Sequence, residues 1–126
     1  MKKNNKSNYR FCQRCGYPTY DKNYVPGTLS NNEKSDKYCN RCLDKGEFRH
    51  PEMNRQEMLI MIIDISLKSG WWVGKVMKNL FPKQIKKMEY WKDDNTPLNK
   101  NFSSEQANSN REKYLDYYKF YEGDDC

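Results

Sequence analysis

The chain has 126 residues, of which 36% are hydrophobic and 32% charged, and a formal net charge of +6. That length is one domain's worth with an appendage at most, and so polar a composition leaves only a small core, which short chains commonly staple with metal or disulfides. No run of about 18 apolar residues occurs, which excludes a membrane-spanning helix.

The charge is unevenly placed. Residues 1–50 carry 11 basic and 5 acidic side chains, residues 51–92 carry 8 and 4, and residues 93–126 carry 4 and 8. A basic body with an acidic tail permits nucleic-acid contact without requiring it. Residues 1–10 are rich in Lys and Asn and have no apolar pattern. They read as a flexible basic arm, either simply solvated or touching phosphate. They also lack the apolar stretch of a signal peptide, so the chain is expected in the cytoplasm.

Residues 11–50 contain two Cys-x-x-Cys pairs, Cys12/Cys15 and Cys39/Cys42, separated by 23 residues. Two thiolates two residues apart can bite one metal from a single tight turn, and two such turns complete a tetrahedron around zinc. Gly16 follows the first pair, where the chain must bend sharply and positive φ is needed. The alternative is a two-disulfide framework, which requires an oxidising compartment. The spacing favours one structural Zn²⁺ on Cys12, Cys15, Cys39 and Cys42. Phe11 and Tyr38 stand before the two pairs, which suggests two similar turns packed around the ion. Between them, residues 24–29 predict short strands around a Pro26-Gly27 turn, and Asn31, Asn32, Ser35 and Asp36 mark further turning. Gly46 ends a turn, and residues 47–49 predict a brief strand.

Residues 54–69 predict a helix capped by Asn54, with Glu57 completing a capping box. Residues 58–63 are wholly apolar and Ile65 and Leu67 follow, so the helix is expected at the centre of the core. Asp64 and Lys68 fall four apart, a pair for the exposed side. Gly70 ends the helix. Residues 71–81 predict a second helix with Trp72, Val73, Val76, Met77, Leu80 and Phe81 on one face. Pro82 breaks it and opens a third, in which Ile85, Met88 and Trp91 recur every three residues. The interleaved Lys83, Lys86, Lys87 and Lys92 form either a phosphate-contacting face or the solvated side of an amphipathic helix. Residues 93–110 read as a polar linker, with Ser103 or Ser104 capping a helix from about Glu105. In the acidic tail, Tyr114, Tyr117, Tyr118 and Tyr121 fall at helical spacing. That aromatic face either docks in cis or is offered to a partner. Cys126 has no neighbouring ligand and is expected to be a free thiol.

The order Cys12-x-x-Cys15-Gly16-Tyr17-Pro18, Gly27, Tyr38-Cys39-x-x-Cys42 and Gly46-x-Phe48, followed by the Met58-containing helix and the Leu80-Phe81-Pro82-Lys83 to Tyr90-Trp91-Lys92 segment, resembles a bacterial zinc-ribbon domain family over residues 11–92. The resemblance implies zinc binding and no established biochemical role. Some members are joined to transcription-regulator domains, which points toward regulation. The Lys/Asn-rich composition fits a low-GC bacterium or its phage.

The expected architecture is therefore small α+β. A Cys₄ zinc ribbon (residues 11–50) is followed by a short helical bundle (51–92) packed with it, and by a partly helical tail (93–126). An enzyme is the least supported class. Four cysteines close the zinc's coordination, and the single histidine, His50, follows a complete ligand set. Two pairs at zinc spacing also argue against a redox dithiol. Two binding classes remain: the sequence favours a protein partner in a regulatory or inhibitory role, suggested by ten tyrosines, with DNA or RNA, suggested by the lysines, as the alternative. The sequence leaves the oligomeric state open.

Overall fold

A computed structural model describes residues 9–69 and 74–121 and divides into two compact units, residues 1–51 and 52–126. Most of the basic arm, Gly70 to Val73 and Cys126 lie outside the described residues. No described helix is long and apolar enough to cross a membrane.

The first unit holds two small antiparallel sheets. Strands β1 (Pro26–Thr28) and β2 (Lys34–Cys39) form one, with an irregular register between Pro26 and Thr28. Strands β3 (Leu43–Asp44) and β4 (Glu47–Phe48) form the other. The expected turn at Pro26-Gly27 is instead strand. The bend falls later, where the Asn31 side chain accepts the Glu33 N–H at 3.0 Å and Asn32 takes φ 70°. Likewise Ser35 and Asp36 lie within β2. Glycine serves β1 for a reason of space. A Cβ at Gly27 would lie 2.5 Å from the Leu43 carbonyl oxygen and 2.8 Å from that of Cys39, both rigid backbone atoms beside the second cysteine pair. The β3–β4 hairpin turns through Lys45 and Gly46, with φ of 51° and 83°. Two consecutive positive φ values give a two-residue turn matched to the right-handed strand twist.

The second unit is built on α1 (Arg55–Ser69), whose residues from Met58 to Asp64 are all buried. The capping box forms as expected. The Glu57 N–H donates to Asn54 Oδ1 at 2.8 Å, and the Asn54 N–H donates to Glu57 Oε1 at 3.0 Å. Asp64 does pair with Lys68, at 3.5 Å, but its side chain is buried and also meets Arg111 at 3.4 Å. That side of α1 is therefore covered by the tail and is not the exposed side expected for the pair. Leu67, placed with the core by its sequence, is exposed.

Helix α2 (Gly74–Ile85) runs through Pro82 and does not break there. Proline there forfeits its N–H bond and crowds the carbonyl four residues back, and only three more residues of helix follow it. No third helix opens at Pro82. The chain turns after Ile85 and enters a 3₁₀ helix at Glu89–Trp91. A 3₁₀ turn has 3.0 residues, so positions three apart eclipse. Ile85, Met88 and Trp91, all buried, sit at the end of α2, at the extended residue before the 3₁₀ helix and at that helix's last position, linked by hydrogen bonds from the Met88 and Trp91 N–H groups to the carbonyls three residues back. Phe81 shares the buried side with Ile85, whereas Leu80, about 100° away around the helix, is exposed.

The polar segment after residue 92 is fastened to α1. Asp94 Oδ2 accepts the Arg55 N–H at 3.0 Å, filling one of the orphan donors of the helix start. Arg55 Nε donates to the Thr96 carbonyl at 2.8 Å, and Gln56 exchanges two hydrogen bonds with the Asn99 backbone. Helix α3 (Ser104–Lys113) starts at a Ser103–Gln106 capping box. The tail then forms two short helices instead of one, because Tyr114 leaves helical geometry before α4 (Leu115–Tyr121).

Glu57 ties the tail to the centre of the unit. It accepts from the Tyr114 hydroxyl at 2.7 Å and from Lys113 Nζ at 2.9 Å. Burial alone would raise its carboxyl, but Lys113, the Asn54 N–H and the Tyr114 hydroxyl outweigh burial and hold it below the usual carboxylate range. A carboxylate with a depressed folded-state value contributes stability above its unfolded value and loses it as pH falls through the folded one. Acid is therefore expected to loosen this unit at pH values below the usual carboxylate range of about 4. Melting followed across pH checks this: wild type should lose stability more steeply than Glu57→Gln, and parallel profiles would contradict it.

Candidate metal centre

The first cysteine turn closes with the Gly16 N–H donating to the Cys12 carbonyl at 2.9 Å, and Gly16 takes φ 83° as its position requires. The second closes with the Cys42 N–H donating to the Cys39 carbonyl at 3.1 Å. The turns face each other. The Cys39 N–H donates to Cys12 Sγ at 3.3 Å, and the Gln13 N–H to the Lys37 carbonyl at 2.8 Å.

This brings Cys12, Cys15, Cys39 and Cys42 together, fully buried, with their four sulfurs within 4.8 Å of one another. The Cys12–Cys42, Cys15–Cys39 and Cys39–Cys42 sulfur pairs lie 3.7, 3.7 and 3.6 Å apart. A disulfide needs about 2.0 Å, so the two-disulfide alternative does not match. A tetrahedral zinc about 2.3 Å from each sulfur spaces them roughly 3.8 Å apart, and the observed spacing fits it. Burial pushes the Cys15 and Cys39 thiols up. Burial acts the same way on Cys12, but hydrogen bonds from the other three sulfurs reverse it and hold that thiol low. A divalent ion therefore displaces protons from this cluster as it binds.

His50 stands outside the cluster and contributes its backbone instead: its carbonyl accepts from Arg14 at 2.8 Å. Two residues that the sequence reading passed over are conspicuous around the metal ligands. Arg14 and Arg41 occupy the same place in their turns, each directly before the second cysteine, and both are buried. Arg14 also donates to the Arg49 carbonyl, and its guanidinium lies 5.5 Å from the Phe48 ring. Arg41 stacks 4.7 Å over the Tyr17 ring. Burial and the neighbouring Asp21 raise the Tyr17 hydroxyl to about 12, with Arg41 opposing them. The repeated Cys-x-Arg-Cys was the signal available in the sequence.

The remaining candidate residues lie in the helical unit. Lys83, Lys86, Lys87 and Lys92 are all exposed. Tyr114, Tyr117 and Tyr118 are fully buried, and Tyr121 is half-buried 5.9 Å from Tyr117. The first three tyrosines are thus spent in the core of their own unit, since α1 needs cover on the side that α2 does not reach. The partner face that the sequence allowed for them is not available.

Among known families, the model described as Putative zinc ribbon domain matches residues 11–92. No curated protein and no solved structure matches the chain. The match covers well over half of the chain and includes all four clustered cysteines, and the chain belongs to that zinc ribbon family.

Proposed function

We propose that this chain is a non-enzymatic binding protein in which one structural zinc holds the ribbon together. The closed, fully buried set of four cysteines supports this: a catalytic zinc keeps a position for water or substrate, and four thiolates leave none. The family and the donor set point to zinc as the ion.

For the partner, nucleic acid is the class with residues free to serve it. Residues 74–92 carry six lysines and one acidic side chain, and Lys83 is exposed near the end of α2, Lys86 and Lys87 in the turn after it, and Lys92 just past the 3₁₀ helix. Phosphate contacts of this kind dominate affinity and weaken steeply with salt. Binding to mixed-sequence DNA and RNA at low salt is the test. Replacing Lys86 and Lys87 together by glutamate should weaken binding across all sequences and flatten its salt dependence. No binding at low salt, or binding indifferent to the double change, would leave the lysines as a solvated face.

A protein partner in a regulatory or inhibitory role is the second reading. Its support has moved from the tail tyrosines to the ribbon, where Tyr20 is 68% exposed and Val25 50%. Pull-down from the native host with Tyr20→Ser as the control distinguishes it.

A further inference from the structure

We propose that Arg14 and Arg41 are the counter-charges of the metal centre, one supplied by each cysteine turn, and that they set how tightly the ion is held and how inert its thiolates are. The charge balance motivates this. A divalent ion on four thiolates leaves two net negative charges inside a buried cluster. Arg14 is fully buried and Arg41 nearly so, and a guanidinium is always charged. The two cations match the two excess anions, in a medium where charges act far more strongly than in water.

The contacts are crossed between the turns. Arg14 belongs to the first cysteine turn, yet it reaches the Arg49 and His50 carbonyls and the Phe48 ring, all of which follow the second. Arg41 belongs to the second, yet it stacks on Tyr17, which follows the first. Arg49 Nε donates back to the Arg41 carbonyl at 2.9 Å. Each arginine therefore fixes the opposite half of the ligand set while bringing its charge into the same unit.

The consequence is chemical. An anionic centre without compensating charge in the same buried unit gives up its metal more easily, and its thiolates donate to an electrophile more readily. Removing groups that support metal ligands typically costs 10–100-fold in affinity. The test uses the zinc-loaded full chain, with zinc release by N-ethylmaleimide followed by a zinc-sensitive dye and affinity measured by chelator competition. The Arg14→Met/Arg41→Met protein should release zinc at least about tenfold faster and bind it about tenfold more weakly or worse. Arg14→Lys/Arg41→Lys keeps both charges while losing the fork and the ring stack, and should lie closer to wild type than to the Met variant in both measurements. A Met variant equal to wild type overturns the proposal. So does a Lys variant as labile as the Met variant, since that would assign the effect to shape and hydrogen bonding. Should the double Met variant fail to take up zinc, the Arg41→Met and Arg41→Lys single variants decide by the same comparison. A wild-type chain that binds no zinc would overturn the proposal together with the metal reading on which it rests.

Discussion

Replacing Cys39 with serine is expected to abolish stoichiometric zinc binding and to unfold the ribbon. Among the described residues of this unit, the buried hydrophobic side chains are the four cysteines, Tyr17 and Leu43. Two such residues beside the ligands make too small a core to hold a unit of this length without a staple. In zinc-finger peptides the binding free energy of the structural zinc is the folding free energy. The metal therefore decides whether this unit folds, and losing one of four ligands should remove most of its effect. Metal analysis and circular dichroism of Cys39→Ser, with Cys126→Ser as the control that keeps its zinc, provide the check. Full zinc retention in Cys39→Ser would end the ligand assignment. Chelation of the wild-type protein should likewise erase the ribbon signal while the α1 helix persists, because α1 is held by apolar packing and not by ligands.

Truncation after Asp94 is expected to collapse the helical unit. It removes Tyr114, Tyr117 and Tyr118, all fully buried, together with Ala107 and Asn110. Asn110 donates to the Glu57 carbonyl at 3.0 Å and to the Tyr118 hydroxyl at 2.8 Å. Losing a large buried aromatic side chain costs about 3–5 kcal/mol, and three of them exceed or exhaust the roughly 5–15 kcal/mol by which a domain is stable. The truncated chain should lose cooperative melting and bind a hydrophobic dye through uncovered α1, while still taking up one zinc through ligands that all precede the cut. An unchanged melting curve with no dye binding would show that the tail is not part of this core.

The ribbon was legible because metal ligation constrains sequence spacing directly. Cys12, Cys15, Cys39 and Cys42 and Gly16 at positive φ follow from that constraint, and the 47–48 strand from the turn that Gly46 marks. The α1 helix was legible for a similar reason: Asn54 and Glu57 mark its start, and an all-apolar stretch can only be buried. What escaped was set by context. Pro26-Gly27 has turn chemistry, but Gly27 is needed for close backbone approach in a strand. The three-residue spacing after Pro82 matches a helix only loosely, and only the backbone shows that it spans a helix end, an extended residue and a 3₁₀ helix. Asp64 was assigned to the exposed side because nothing local announces that Arg111, 47 residues away, will cover it. The tyrosines showed an amphipathic face without saying what it meets.

The fastening of Glu57 to Tyr114, 57 residues further along the chain, carries a consequence for biosynthesis. The four metal ligands are complete once residue 42 has been made, so the ribbon is free to load its ion early. The apolar residues of α1, by contrast, wait for the tail that covers them. At about 5–20 residues per second, that interval lasts roughly 3–11 s. Throughout it the nascent chain carries a finished ribbon beside an unshielded, methionine- and isoleucine-rich segment, a natural client for chaperones at the ribosome.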